Sequence, residues 1–240
     1  MKTCSKGIAL GYNADFYKAG FYEWVRWCYA SNPHLLISGA SGSGKTYALL
    51  QILARIERIG GSTFVCDYKN DDSLSFLKGN QFYYNFSACM NGLEQAVEIL
   101  QTRQNGAECN KPFFLVFDEW SAYLNSLDKK ASEQEKQKLA MLLQLGRSLN
   151  VQIIMSLQRP DAQNFGNSRD NFSTIMTMAK ISKEVSGMLY SEFSDELVRV
   201  KPRGQGSAIV GSSLYNIIVP PVRNVRRMQT LIYDACRLPL

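Results

Sequence analysis

Short apolar runs that stop abruptly at polar residues alternate along this chain with longer stretches whose apolar side chains return every three or four positions. His34-Leu35-Leu36-Ile37-Ser38, closed by Gly39, has the length and character of a buried strand, and Leu49, Ile52, Leu53 and Ile56 then share one helical face before Gly60-Gly61 stops it. Ser62–Cys66 reads as a second strand ending at Asp67-Tyr68-Lys69, Gln81–Asn85 as a short strand, and Leu93, Ala96, Val97 and Leu100 as the next helix face. Phe113–Phe117 forms an apolar strand closed by Asp118-Glu119. Ser121–Lys130 reads as a polar loop, and Ser132-Glu133-Gln134-Glu135 as a capping box opening a helix with Leu139, Leu142, Leu143 and Leu149. That helix ends at Gly146-Arg147-Ser148-Leu149-Asn150 and passes into the strand Val151–Ser156, which closes with Gln158-Arg159-Pro160. Ser207–Val219 reads as two short strands. Strands alternating with helices define an α/β fold, a mostly parallel sheet flanked by helices.

At 240 residues and 45% hydrophobic content the chain can bury one sizeable core, and we read residues 1–240 as one domain. Residues 1–32 form an aromatic-rich lead-in and 221–240 a basic tail. No apolar run approaches the roughly 18 residues a membrane span needs, and Met1–Lys6 is not followed by a signal-like apolar segment, so a cytoplasmic protein is expected. Cys4, Cys28, Cys66, Cys89, Cys109 and Cys236 are scattered with no C-x-x-C pair, and His34 is the one imidazole. This argues against a zinc site or a disulfide framework and for reduced thiols. A net charge of +6 suits an acidic polymer as partner without requiring one.

The most specific stretch is Gly39-Ala40-Ser41-Gly42-Ser43-Gly44-Lys45-Thr46, a full G-x-x-x-x-G-K-T pattern placed between a strand and a helix. Backbone N–H groups turned inward there cradle phosphates at a helix N-terminus, Lys45 reaches the β/γ oxygens, and the Thr46 hydroxyl is placed to hold Mg²⁺. Asp118 and Glu119 close a later core strand, where the first acid meets the metal shell and the second can take a proton from attacking water. A plain helix N-cap explains two such acids equally well when they stand alone. Ser121 stands where D-x-x-G needs glycine and no N-K-x-D occurs, so ATP is favoured over GTP.

Other residues keep two readings. Trp24, Trp27 and Tyr29 could stack on a base or pack against the sheet, and Asp67 and Lys69 could face a ligand crevice or a solvated loop. Lys129 and Lys130 could contact phosphates or simply face water, and the late Arg223, Arg226 and Arg227 could track a DNA backbone, contact an adjacent subunit or face water.

With these residues together, the chain resembles the FtsK/HerA superfamily of DNA-pumping ATPases, and within it the FtsK/SpoIIIE-type coupling ATPases of conjugative elements, the TcpA group. The matching stretches are Pro33–Thr46, Asp67-x-Lys69, Asp118-Glu119, Gly146-Arg147, Gln158-Arg159-Pro160-Asp161-Ala162, Arg169-Asp170-Asn171-Phe172 and Arg203-Gly204-Gln205-Gly206, in family order. The resemblance implies a RecA-like P-loop motor domain assembling as a homo-oligomeric ring, usually a hexamer, with ATP at subunit junctions and DNA in the central channel. It implies Walker A roles for Lys45 and Thr46, Walker B roles for Asp118 and Glu119, and γ-phosphate sensing by Gln158. It makes Arg147 a finger entering the neighbour's site, while pairing with its own helix terminus is the alternative; Arg159 and Arg203 are weaker candidates. Ser121–Lys130 and Gln163–Arg169 are the candidate channel loops. The membrane helices and winged-helix tail of some members do not fit this length, which implies a minimal motor or one with a relaxase or secretion-channel partner. A viral genome-packaging ATPase and a low-turnover scaffold docking a relaxase–DNA complex are the other readings.

Overall fold

A computed structural model describes residues 7–239; Met1–Lys6, the start of the lead-in with Cys4, and Leu240 lie outside the described residues. In chain order the elements are β1 (Ile8–Asn13), α1 (Ala14–Lys18), β2 (Trp24–Trp27), β3 (Leu35–Ser38), α2 (Lys45–Arg58), β4 (Ser62–Asp67), β5 (Tyr83–Asn85) and α3 (Cys89–Gln104). They continue with β6 (Phe113–Asp118), α4 (Trp120–Asn125), α5 (Lys129–Leu145), β7 (Val151–Leu157), β8 (Thr174–Met178), α6 (Lys183–Leu189), β9 (Gln205–Val210), β10 (Ser213–Ile218) and α7 (Val225–Ala235).

One ten-stranded sheet runs in the order β2-β1-β10-β9-β8-β3-β7-β6-β4-β5. From β8 to β5 every pairing is parallel, and β9, β10, β1 and β2 extend it with antiparallel pairings. The central strands are apolar because helices cover both faces: β3, β4, β6 and β7 are buried throughout. The expected α/β architecture with a mostly parallel sheet is therefore the one observed.

Four expectations are corrected. Ser121–Lys130 is not an open polar loop, because Trp120–Asn125 folds as α4 with Trp120, Tyr123 and Leu124 buried. The helix read as opening at Ser132 opens at Lys129, because Asp128 accepts from the Ala131 N–H at 2.9 Å and caps it first; Glu135 is instead buried, accepting from the Tyr123 hydroxyl at 2.6 Å. The basic tail contains the amphipathic helix α7, whose Met228, Ile232 and Ala235 pack on α2. Cys66, Cys89 and Cys236 are free and buried, whereas Cys28 is disulfide-bonded, a departure from thiols throughout. Among the described residues no helix is long and apolar enough to cross a membrane.

The lead-in aromatics divide. Trp27 is fully buried and Tyr29 packs edge-on against Phe114, which favours their structural reading, while Trp24 lies stacked on Tyr12 at 3.9 Å between ring centroids.

Candidate active site

The loop Gly39–Gly44 leaves the carboxyl end of β3 and enters α2 through Gly44, whose φ of 96° is a left-handed conformation open to glycine and strained for other residues. No side chain caps α2, so its first backbone N–H groups stay turned toward the cleft. Thr46 follows Lys45 in the first turn, and both line a cleft of about 580 Å³, within the range of small-molecule sites.

The two acids arrive from β6, two strands away. Lys45 donates to Glu119 Oε1 at 2.8 Å, and its Nζ lies 3.9 Å from Asp118 Oδ1; all three residues are buried. Glu119 sits at φ 60°, ψ 46°, a left-handed backbone rare outside glycine and asparagine, anchored where its N–H donates to the Ser156 carbonyl at 2.8 Å. That strain turns the carboxylate back over the nucleotide loop. Burial pushes the Asp118 carboxyl up to about 6, with Lys45 pulling the other way. Its Oδ1 is buried without a hydrogen bond, and an orphaned carboxylate oxygen on the same cleft as the Thr46 hydroxyl is a donor set that suits a hard divalent cation such as Mg²⁺.

Gln158, one residue beyond β7, lines the same cleft and is exposed. The structure thus brings Ala40, Ser41, Gly42, Gly44, Lys45, Thr46, Asp118, Glu119 and Gln158 around one space. Gly39 and Ser43 complete the turn, the Ser43 N–H donating to the Ala40 carbonyl at 3.1 Å.

Asp67 and Lys69 part company. Asp67 is buried, accepting from Tyr83 Oη at 2.7 Å and the Asn70 N–H at 2.8 Å, so it anchors the loop; burial raises its pKa above the usual carboxylate range. Lys69 faces the cleft, paired with Asp71 at 2.9 Å.

Arg147 is not in this cleft. It follows Gly146 before the start of β7, at the amino end of the strands and so opposite the nucleotide loop, and β7 alone spans about 20 Å. Among the described residues its exposed guanidinium has no hydrogen bond or ion pair. Arg103 fixes the following turn, donating to the Leu149, Asn150 and Lys111 carbonyls at 2.8–2.9 Å. Arg159 is held in its own loop by Asp161 at 2.7 Å.

One contribution was undervalued by the sequence reading and one escaped it. Arg203, ranked low there, lines the cleft beside Gly44. The far wall is built by Tyr47 and Leu50 of α2 with Val225, Met228 and Gln229 of α7. The segment before α7 is fastened to α2, with Gln51 Nε2 donating to the Pro220 carbonyl at 2.7 Å and the Val222 N–H donating to the Tyr47 hydroxyl. Only the amphipathic spacing of Met228 and Ile232 hinted at that docking.

No family model matches the chain. The FtsK domain-containing protein YdcQ of Bacillus subtilis (strain 168) is 29% identical over 217 residues, covering 82% of this chain and 45% of that protein, so the chain spans less than half its relative. The structure of the pCW3 conjugation coupling protein TcpA, monomer form with ATPγS, superposes with a TM-score of 0.71 at 16% identity over 89% of this chain and 66% of that one. EssC (ATPases 2 and 3) from Geobacillus thermodenitrificans gives 0.71 at 14% over 98% and 50%, and VirB4 of Thermoanaerobacter pseudethanolicus 0.59 at 13% over 93% and 98%. At these identities the structural likeness is one of fold. Fold, nucleotide loop and sequence relative together make the chain similar to FtsK/HerA-type P-loop ATPases, in line with the resemblance.

Proposed function

We propose that the chain is an ATP-hydrolysing, ring-forming DNA translocase or coupling motor, acting in conjugative or other mobile-element transfer. One observation carries the reading: Lys45, Asp118, Glu119 and Gln158 share one cleft while Arg147, unpaired among the described residues, stands at the opposite end of the strands. A chain so built holds the nucleotide-binding groups and Arg203 in its cleft but not Arg147, and an arginine that cannot reach its own cleft is usable by the next copy of the chain.

In this mechanism the loop N–H groups and Lys45 bind the β- and γ-phosphates, and Glu119, released from Lys45 by the incoming phosphates, accepts a proton from the attacking water. Thr46 and Asp118 would hold Mg²⁺, which when bound neutralises charge on the phosphate oxygens. Gln158 hydrogen-bonds near the γ-phosphate and couples its loss to the loops beyond β7. Arg147 from the neighbouring subunit stabilises the transferred phosphoryl, an effect on the order of 10³ to 10⁵ in rate in related NTPases.

The segments proposed to face the channel meet each other: Trp120 Nε1 donates to the Asn164 carbonyl at 2.8 Å and Asn164 Nδ2 to Ser121 Oγ at 2.9 Å. Movement of Glu119 at the head of α4 is thereby passed to Gln163–Arg169. The test is steady-state hydrolysis with and without DNA beside particle mass. DNA-stimulated turnover by an oligomer supports the motor; turnover no higher than that of Glu119→Gln, with or without DNA, supports a scaffold instead.

A further inference from the structure

We infer that the face formed by β1, β2, α2 and the start of α7 binds single-stranded nucleic acid, outside the nucleotide cleft. The inference deepens the DNA-handling reading and rests on it for the identity of the polyanion.

The first observation is a groove between α2 and α7 lined by Arg55, Arg58, Arg223 and Arg227 and, among the described residues, by no carboxylate. Among the described residues Arg58, Arg223 and Arg227 are exposed and form no ion pair. Arg55 is held in place by neutral groups, donating to the Ala9 carbonyl at 3.0 Å and Gln51 Oε1 at 3.1 Å. Burial and the neighbouring Arg58 and Arg26 charges lower its pKa to about 10. Arg223 and Arg227 also flank the N-terminus of α7, where the helix dipole adds further positive potential. So many guanidiniums without an acid repel one another, and phosphates placed among them remove that repulsion.

The second observation is that the groove continues into a run of aromatic rings. The Arg55 guanidinium lies over the Trp24 ring, 5.2 Å from its centroid. Trp24 stacks on Tyr12 at 3.9 Å, and Tyr12 meets Tyr17 at 5.8 Å and Tyr22 at 5.6 Å. Tyr22 and Phe21 are about 70% exposed, and among the described residues Glu23 is the one acid in the cleft they line. Arginines that track a backbone beside solvent-facing rings that accept unpaired bases are the two halves of a single-strand site, whereas a duplex keeps its bases out of reach of the rings. An acidic protein segment would use the arginines and leave the rings idle.

The test is fluorescence anisotropy with a labelled oligothymidylate of about 30 nucleotides and the matching duplex, with thermal melting as the check on folding. Replacing Arg58 and Arg227 together by alanine is expected to weaken oligothymidylate binding and to flatten the slope of log K against log salt by about 1.4, since each phosphate contact contributes about 0.7 on single strands. Tyr17→Ala with Tyr22→Ala is expected to lose about five- to a hundredfold for the single strand and little for the duplex. Unchanged affinity and salt slope in the arginine variant, equal losses for both nucleic acids in the ring variant, or displacement of the oligonucleotide by polyglutamate at lower charge concentration would each overturn the inference. Lys45→Ala separates it from the motor reading, because that variant is expected to lose hydrolysis while still binding the oligonucleotide.

Discussion

Lys45 of the nucleotide loop and Glu119 at the end of β6 form one buried ion pair, 2.8 Å from Nζ to Oε1. The base of the proposed hydrolysis is therefore held against the group that grips the phosphates, and triphosphate binding must exchange one contact for the other. Glu119→Gln keeps the shape and a hydrogen-bonding oxygen but loses the proton acceptor. It is expected to lower kcat by about 10² to 10⁴ while still binding an ATP analogue, whereas Lys45→Ala is expected to lose both. Titration with a fluorescent nucleotide beside a phosphate-release assay separates the two.

Arg203 approaches the cleft beside Gly44 from the lead into β9. Arg203→Ala is expected to weaken nucleotide binding on the order of tenfold, the size of a charge-assisted contact to phosphate. Isothermal titration with ATPγS reads it, and an unchanged Kd places the side chain outside the phosphate shell.

His34 gives the fold a pH dependence. Its Nδ1 accepts from the Ile153 N–H at 3.1 Å and its Nε2 lies 2.9 Å from the Leu143 carbonyl, so the ring is neutral with its proton on Nε2. Burial lowers its pKa to about 4 from the ordinary 6.5. The unfolded chain then binds the proton first as pH falls, so this contribution is complete above about pH 6.5 and is lost progressively down to about pH 4. Between pH 7 and pH 5 the loss is about 2 kcal/mol. Denaturant unfolding at the two pH values reads it, and His34→Asn should remove that part of the difference.

Gly92 is where α3 meets the sheet most closely. A Cβ there would lie 2.5 Å from Cys66 Sγ and 2.7 Å from Tyr84 Cδ2. Gly92→Ala is expected to destabilise the fold by about 1–3 kcal/mol through overpacking. The urea midpoint measures this, with nucleotide affinity of the folded fraction unchanged.

The parallel core was legible because helix-covered strands such as Phe113–Phe117 are continuously apolar, and β6 ends at an acid that the sheet delivers to the cleft, whereas Asp67 at the end of β4 anchors its own loop. Asp118 and Glu119 could be placed for that reason, Lys45 by the nucleotide-loop pattern, and Gln158 by resemblance. The start of α5 was misread because a capping box at Ser132 and a single aspartate at position 128 compete, and α4 consumes the residues before it. The wall from α7 was out of reach. Its arginines were read only for what they could contact outside the fold, and contacts such as Gln51 to the Pro220 carbonyl join positions far apart in the chain. Arg147 was named as a finger by resemblance alone, and the structure places it outside the cleft of its own chain.

Mixing two inactive variants tests the central claim most directly. Glu119→Gln subunits retain Arg147, and Arg147→Ala subunits retain a complete cleft, so a mixed ring contains junctions with both parts. Hydrolysis by the mixture well above the sum of the separate variants is the predicted result; a mixture no more active than that sum would contradict an arginine acting between subunits.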